Sequence, residues 1–172
     1  MADITAQTGF EGTGKIGDYI ASLSGSADLA ELRQEALDQF NGLGWPTTME
    51  EEWRRTNVSL FEFDDYHYAA PGASVLEVGT PETGWSGQMR FENSSLVGLS
   101  VQPELAEKGV FFGSLADLAE KDSLKAKRVI GVMKSGLKRA DNRLQYWNYA
   151  LAGEVTVLYV PKWVEIAEPF GV

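Results

Sequence analysis

Apolar residues recur at the period of an α-helix in two stretches near the start of the chain. The first has the i, i+3, i+4, i+7 spacing and consists of Ile16, Tyr19, Ile20 and Leu23. Ser24-Gly25-Ser26 interrupts it, and a longer stretch follows with apolar residues at Leu29, Leu32, Ala36, Leu37 and Phe40. Asp28 and Glu31 match a capping box at its start, and Gly42 and Pro46 favour its end. The pattern predicts two helices.

The helical period is lost after this second stretch. Thr48 and Glu51 match another capping box, which predicts a short helical turn through Arg55. Residues 57–84 carry many turn-forming residues and show no steady period, so we expect a long ordered loop there. One short strand is expected within it, near residues 73–78.

Short apolar runs in the middle of the chain are typical of strands. Met89 and Phe91 alternate with polar residues, and an apolar run continues through residues 96–101. These runs predict a hairpin that turns at Asn93-Ser94. Val110-Phe111-Phe112 predicts a third strand.

The last third of the chain returns to helical patterns and ends with a strand. Ser114 and Asp122 are each expected to cap a helix, and residues 142–152 predict a further one. The apolar face of that last helix is expected at Leu144, Trp147, Asn148 and Leu151. Val155–Val160 is a continuous, β-branched run that predicts a buried strand. Helices, a small sheet, helices again and a final strand indicate an α+β fold.

Composition narrows the functional classes. The 172 residues have a net charge of −10, which repels phosphates and anionic lipids, so we expect neither a nucleic-acid nor a membrane partner. The chain has no cysteine, which excludes disulfides and cysteine-ligated zinc or iron–sulfur sites within it. The first ten residues lack the basic and apolar parts of a signal peptide. A cytoplasmic protein is the prediction.

Candidate catalytic chemistry is confined to one place. The single histidine, His67, follows Asp64 and Asp65, and such a trio suits either a metal site or a general base. We favour an ordinary loop residue, because metal sites need three or four convergent ligands. No phosphate-binding loop and no nucleophile motif is present. The sequence therefore predicts no enzyme, no metal and no cofactor.

Two groups of residues are candidates for protein–protein contacts. Trp53, Arg54 and Arg55 are residue types that dominate interface hot spots, although we favour Trp53 packing in a local core and Arg54 pairing with an acid. The second group is a basic cluster, of which Lys125 and Arg128 are the clearest members, and which is either a docking surface for an acidic partner or a solvated face. Its full membership is Lys125, Lys127, Arg128, Lys134, Lys138, Arg139 and Arg143.

Two segments resemble the SufB/SufD family of iron–sulfur cluster assembly proteins, and SufD more closely. The first joins an arginine-bearing helix at residues 32–40, the turn Gly44-Trp45-Pro46-Thr47 and the piece Glu51-Glu52-Trp53-Arg54-Arg55-Thr56-Asn57. The second joins a helix at residues 142–151 to the strand sequence Tyr159-Val160-Pro161-Lys162. The order and spacing of these pieces agree with the family.

The sequence departs from the family at two places, both near its C-terminal end. After the Pro-Lys pair the family usually has glycine, whereas this chain has Trp163. Before the strand the family usually has a Gly-Gly-like turn, and here Gly153-Glu154 takes its place.

The resemblance implies a fold and a division of the chain. In the family, a mainly helical N-terminal region precedes a long right-handed parallel β-helix. The implied fold is therefore α+β, a mainly helical N-terminal domain with a small β-sheet that ends at the first strands of a missing β-helix. The implied segments are a flexible N-terminus at residues 1–13, the N-terminal domain at 14–152 and the start of a truncated β-helix core at 153–172.

The resemblance also implies a role. Family members SufB and SufD pair through their β-helices, a C-terminal region docks the SufC ATPase, and the nascent cluster assembles near the SufB–SufD interface. This chain would then be a non-catalytic domain with no cofactor of its own, whose partners SufB and SufC bind through regions mostly absent here. Without the rest of the core, the strand at residues 155–160 is expected to be an exposed edge or to self-associate with a second copy.

Two other functional classes stay open at this point. One is a stand-alone acidic protein–protein interaction module with no connection to cluster assembly. The other, which we favour less, is a small metal-dependent enzyme built around His67.

Overall fold

The computed structural model describes residues 9–11, 16–60, 67–69, 76–92 and 95–172; of residues 9–11, 59 and 67–69 it describes the main chain. The chain forms two compact units. Unit 1 consists of Met1–Ala70 and Ile130–Gly153, and unit 2 consists of Pro71–Val129 and Glu154–Val172. Each unit thus joins two separate segments. The predicted division at residues 13 and 152 runs along the chain and stays a prediction.

The helices and strands of the described residues confirm the α+β class. The helices are α1 (Ile16–Ser22), α2 (Ala27–Gly42), α3 (Pro103–Glu107), α4 (Leu115–Lys121), α5 (Ser123–Leu137) and α6 (Arg143–Ala150). The strands are β1 (Gly9–Glu11), β2 (His67–Ala69), β3 (Glu77–Gly79), β4 (Gly87–Glu92), β5 (Ser95–Val101), β6 (Phe111–Ser114), β7 (Thr156–Tyr159) and β8 (Phe170–Gly171). Two short 3-10 turns lie at Glu51–Trp53 and Val58–Leu60. No helix in the described part of the chain has the length and apolar character needed to cross a membrane.

The apolar stripe of α2 forms the centre of unit 1. All five predicted positions are buried, and each is at most 7% exposed. The predicted cap is wrong, however: the Oγ of Ser26, not Asp28, accepts a hydrogen bond from the Leu29 amide at 3.3 Å. An N-cap residue needs an extended backbone, and Ser26 has one. Asp28 already lies in the first helical turn, where its charge favours the helix dipole.

The second predicted capping box is one residue out of register. The Thr47 amide donates to a carboxylate oxygen of Glu50 at 2.8 Å, and the Thr47 hydroxyl accepts from the Met49 amide at 3.3 Å. Both Thr47–Glu50 and Thr48–Glu51 satisfy the motif spacing, so the sequence did not distinguish them. The box leads into the 3-10 turn at Glu51–Trp53.

Helix α6 packs on α2 within unit 1. Its predicted apolar face is partly wrong, because Asn148 is exposed and the fully buried residue is Ala150. The contact with α2 runs along Arg143, Trp147 and Ala150, at the i, i+4, i+7 spacing of one helix face. The apolar pattern did not identify this face, because one of its residues is the cationic Arg143.

A four-stranded mixed sheet with the order β3-β5-β4-β8 is the larger sheet of unit 2. Strands β4 and β5 pair antiparallel, which confirms the predicted hairpin, while its turn at Asn93-Ser94 lies outside the described residues. Strands β3 and β8 join the two edges in parallel. The expected strand near residues 73–78 overlaps β3 at residues 77–78. Residues 73–75 lie outside the described residues.

The second sheet of unit 2 pairs β6 with β7 antiparallel. The Oγ of Ser114, at the end of β6, accepts from the Asp117 amide at 3.0 Å and caps α4 as predicted. The prediction of a buried final strand is wrong: in β7 only Val157 is buried, and Leu158 is 45% exposed. Burial alternates along β7, so one face of the strand, with Val157, is covered and the other, with Leu158, is not. Among the described strands β7 has β6 as its one neighbour. Its expected self-association stays a prediction.

Four short elements within the described residues were not predicted. Strands β1 and β2 pair with each other, and a 3-10 turn lies at Val58–Leu60. Helix α3 begins with Pro103, a residue whose position at a helix start is a recognised signal. Elements of three to five residues carry too few apolar positions for a period to be detected.

Candidate interaction site

The two segments that carry the family resemblance meet inside unit 1. The first supplies α2 and the turn that follows it, and the second supplies α6. These two helices make the main helix–helix contact of the unit. Two side chains, Arg33 and Arg143, hold that contact together, one at each end of α6.

Arg33 is a buried arginine, 1% exposed, whose guanidinium donates to four main-chain carbonyls. Its Nε donates to the carbonyl of Ala152 at 2.7 Å, and one terminal nitrogen donates to that of Gly153 at 3.1 Å. The other terminal nitrogen donates to the carbonyls of Leu23 and Ser24 at 3.4 and 2.8 Å. The guanidinium thus joins the segment after α6 to the segment before α2.

The surroundings of Arg33 affect its ionisation. Burial lowers the pKa of Arg33, while the nearby Tyr19 acts in the opposite direction. The guanidinium remains charged, because the pKa of arginine starts so high. A buried charge of this kind is tolerated when its donors are satisfied, as the four carbonyls satisfy these. Arg33 is therefore a structural residue of the site.

Arg143 lies at the other end of α6, against aromatic rings. Its guanidinium carbon is 4.3 Å from the ring centre of Phe40 and 4.4 Å from that of Trp45, which are distances of strong cation–π contacts. Trp147 completes the cluster, 5.9 Å from Phe40 and 5.6 Å from Trp45 between ring centres. We call these four residues the Arg143 cluster. Loss of hydration lowers the pKa of Arg143, and its buried Nε has no hydrogen-bond partner among the described residues.

A groove of about 590 Å³ lies in unit 1 beside α6. We call it the Trp53 groove; its lining residues are Trp53, Gly136, Arg139, Ala140, Asn142, Leu144, Gln145, Asn148 and Tyr149. The 3-10 turn supplies Trp53, the end of α5 and the loop after it supply three residues, and Asn142 with α6 supplies the rest. The groove has two aromatic rings, three carboxamides and one arginine, and no carboxylate lines it.

The predicted anchor residues Trp53, Arg54 and Arg55 all belong to unit 1. Trp53 is half-buried and lines the groove. Arg54 pairs with Glu51 at 3.3 Å, with both side chains largely exposed. Arg55 is exposed and forms no ion pair with a described residue. The structure therefore brings only Trp53 of the three into a concave site.

Members of the predicted basic cluster fall into different surroundings. In unit 2, Lys125 pairs with Asp122 at 3.0 Å and lies 5.0 Å from the ring centre of Tyr159, whereas Arg128 is exposed without an ion pair to a described residue. In unit 1, Lys134 pairs with Glu31. Arg139 is the one member that lines the Trp53 groove.

The candidate metal site around His67 is largely beyond what the structure describes. Asp64 and Asp65 lie outside the described residues, and of His67 the main chain alone is described, in β2. Within the described part of the chain, no group of three or more histidine, cysteine, aspartate or glutamate residues is placed to hold a metal ion.

Trp163, where the family usually has glycine, lies in a turn with a left-handed backbone. Its φ is 70°, and it is the one non-glycine residue with a positive φ in the described part of the chain. The turn is closed by the Val164 amide, which donates to the Pro161 carbonyl at 3.2 Å. The indole is 88% exposed, and the Lys162 ammonium lies 4.7 Å from its ring centre. This backbone conformation favours glycine over any side chain.

Most of the groove was not predicted from the sequence. None of Tyr149, Gln145 and Asn148 was expected to line a site, because each is an ordinary helix residue when taken alone. A signal was present: Asn142, Gln145 and Tyr149 are spaced by three and four residues and so share a helix face. Nothing in the sequence, however, indicated that Trp53 would lie beside that face.

Comparison with known proteins adds no relative to this picture. No family model matches the chain, and no curated protein or solved structure matches it either.

Proposed function

We propose that this chain is the non-catalytic N-terminal domain of a SufD-like component of the cytoplasmic SufBCD iron–sulfur cluster assembly scaffold. In this role it binds no cluster itself. It provides a packed helical unit in front of the core that SufD shares with SufB, and it contacts neighbouring proteins of the assembly.

The observation that carries this proposal is the contact between the two segments of family resemblance. Arg33 from the first segment binds the carbonyl of Ala152 next to the second, across 119 positions of sequence. The Arg143 cluster joins the same two segments through Phe40 and Trp45 on one side and Arg143 and Trp147 on the other. The two segments on which the resemblance depends therefore pack against each other within unit 1, which supports reading residues 32–40 and 142–151 as parts of one domain.

Trp163 gives independent support. The resemblance predicts glycine at this position, and the backbone there has a φ of 70°, a conformation in which glycine is the preferred residue. The side chain of Trp163 thus departs from the family pattern, but its backbone has the conformation that the expected glycine would favour.

The proposal is tested in the organism that encodes the chain. The chain is tagged at its own gene, and the proteins that copurify with it are quantified. In parallel, its expression is repressed and the activity of an iron–sulfur enzyme such as aconitase is measured. We expect SufB and SufC in the purified complex, and a fall in aconitase activity that re-expression of the chain reverses.

Absence of SufB and SufC together with unchanged aconitase activity would contradict the proposal. The Trp53 groove favours a second candidate in that case, a stand-alone acidic interaction module. The third class, a metal-dependent enzyme around His67, predicts stoichiometric metal in the purified protein, which elemental analysis measures directly.

A further inference from the structure

We propose that the Trp53 groove binds an extended acidic segment of a partner protein. This inference goes beyond cluster assembly and does not depend on it, because it rests on the groove alone. The volume of about 590 Å³ is within the range of sites that bind small ligands and peptide side chains, about 300–1,000 Å³. The groove is open to solvent, so a segment of a partner can enter it.

The groove wall offers hydrogen-bond donors that the protein itself does not use. The Arg139 guanidinium is exposed and forms no ion pair with a described residue, and the Asn148 carboxamide has no hydrogen-bond partner among them. Arginine binds carboxylates through two parallel hydrogen bonds. A carboxamide can both donate to and accept from a peptide main chain. These groups suit a peptide that carries aspartate or glutamate.

Arg139 is the one charged side chain among the described residues that line the groove, and no carboxylate is among them. A partner segment that brings a carboxylate can therefore pair with Arg139 without meeting an acidic side chain in the lining.

The aromatic wall of the groove depends on a close approach that only glycine permits. A Cβ placed on Gly136 would lie 2.2 Å from the Tyr149 hydroxyl oxygen. The missing side chain at Gly136 therefore allows the Tyr149 ring to lie along the end of α5. With Trp53 it provides two rings, and tryptophan and tyrosine are enriched among the residues that dominate protein interfaces.

A basic peptide would meet Arg139 with like charge, which is unfavourable in a concave site. An acidic segment with an interspersed aromatic residue satisfies both the donors and the rings.

The probe is a short fluorescein-labelled peptide of alternating glutamate and phenylalanine, and binding is followed by fluorescence anisotropy. Matched peptides carry lysine or glutamine in place of glutamate. We expect saturable binding of the glutamate peptide that weakens as salt is raised, and much weaker binding of the other two. Arg139→Glu and Trp53→Ala are each expected to reduce affinity about tenfold or more. Arg128→Glu, which changes an exposed arginine in unit 2, should leave affinity within about twofold.

Nuclear magnetic resonance locates the bound peptide. The Trp53 indole N–H signal, assigned from its loss in Trp53→Phe, should shift when the glutamate peptide is added. Arg139 is exposed, so its substitution keeps the test valid if the Trp53 variants fold poorly. The proposal is overturned if the glutamate peptide does not bind, if the lysine peptide binds as tightly, or if Arg139→Glu leaves the affinity unchanged.

Discussion

The two compact units of this protein are stabilised in different ways. In unit 1, long helices pack around cationic groups: Arg33 binds four main-chain carbonyls, and Arg143 lies against two aromatic rings. In unit 2, aromatic rings lie directly against strand glycines: the Phe170 ring at Gly87 and the Trp85 ring at Gly171. Unit 1 therefore depends on the side chains of two arginines, whereas unit 2 depends on glycines, whose lack of a side chain leaves room for a neighbouring ring.

This difference predicts how each unit fails. Loss of one buried guanidinium leaves several carbonyls without partners at once, so unit 1 should respond sharply to single substitutions at its centre. Unit 2 distributes its stability over many short main-chain contacts, so it should respond most to an added side chain. The predictions below test this comparison, beginning with the largest expected effect.

Arg33→Ala should destabilise unit 1 by about 3–5 kcal/mol, because a side chain that is 1% exposed is lost and four part-buried hydrogen bonds to main-chain carbonyls are lost with it. Arg33→Lys should recover little of this loss, since an ammonium cannot reach acceptors in a planar fork. Urea unfolding gives the free energy of unfolding, and hydrogen–deuterium exchange of α2 and α6 shows where it is lost. The control is Gln34→Ala on the exposed side of α2, with an expected change within about 0.5 kcal/mol.

Should Arg33→Ala and Gln34→Ala have similar effects, the buried guanidinium would not be the centre of unit 1. The comparison would also fail if exchange in β4 and β5 increased as much as in α2, because these strands belong to unit 2.

Gly87→Ala should destabilise unit 2 by about 1–3 kcal/mol. The added methyl would lie 2.6 Å from the Phe170 ring and 2.9 Å from the Ser100 carbonyl oxygen, which is main chain and cannot move aside easily. Gly79→Ala is the matched control in the same sheet, because a Cβ there meets no atom within 4 Å. Thermal unfolding of the two variants checks the difference, and equal melting temperatures would refute it.

Trp163→Gly should be more stable than Trp163→Ala by about 1 kcal/mol. Both substitutions remove the exposed indole, but only glycine adopts a φ of 70° without strain. Urea unfolding of the pair measures the difference. An alanine variant as stable as the glycine variant would show that the turn is not strained.

The smallest effects concern two carboxyl groups with opposite dependence on pH. Loss of hydration and then the nearby Asp117 carboxylate raise the pKa of Glu154, although a hydrogen bond from Ser114 acts against them. The folded state then holds this proton more tightly than the unfolded state. Stability falls as the pH rises above the ordinary glutamate pKa of about 4.3, through the raised value. Glu154→Gln should therefore raise stability at pH 7.

Glu31 should behave in the opposite way. Its hydrogen bond and charge interaction with Lys134 lower the pKa of Glu31. It contributes stability above the ordinary glutamate pKa, which is lost as the pH falls through the lowered value. Glu31→Gln should lower stability at pH 7 and have less effect at pH 3. Urea unfolding of both variants at the two pH values measures the signs, and equal signs at pH 7 would contradict the assignment.

Local signals in the sequence predicted most elements of both units. The stripes of α1 and α2, the hairpin of β4 and β5 and the cap of α4 at Ser114 all appear where expected. The errors have physical causes: the cap at Ser26 depended on backbone geometry, and the exposure of Leu158 depended on which face of β7 the rest of unit 2 covers. Neither quantity is encoded in a short window of sequence.

The candidate site was predictable only in part. Trp53 was identified from its residue type and from the family resemblance. The pairing of Trp53 with Tyr149 and Arg139 depends on α6 packing against α2, and that packing is set by Arg33 and Arg143 together. Sequence alone marks such arginines as surface residues, since arginine is rarely buried.

The sequence by itself determined the approximate positions of the longer helices and strands, the apolar stripe of α2, the acidic charge and the absence of cysteine chemistry. Those properties depend on residues within a few positions of each other, or on simple counts. Only the tertiary structure decided that Arg33 is buried, that Arg143 lies on aromatic rings and that a groove without carboxylates forms beside α6. These features arise between segments about a hundred positions apart, and such contacts depend on the whole packing arrangement.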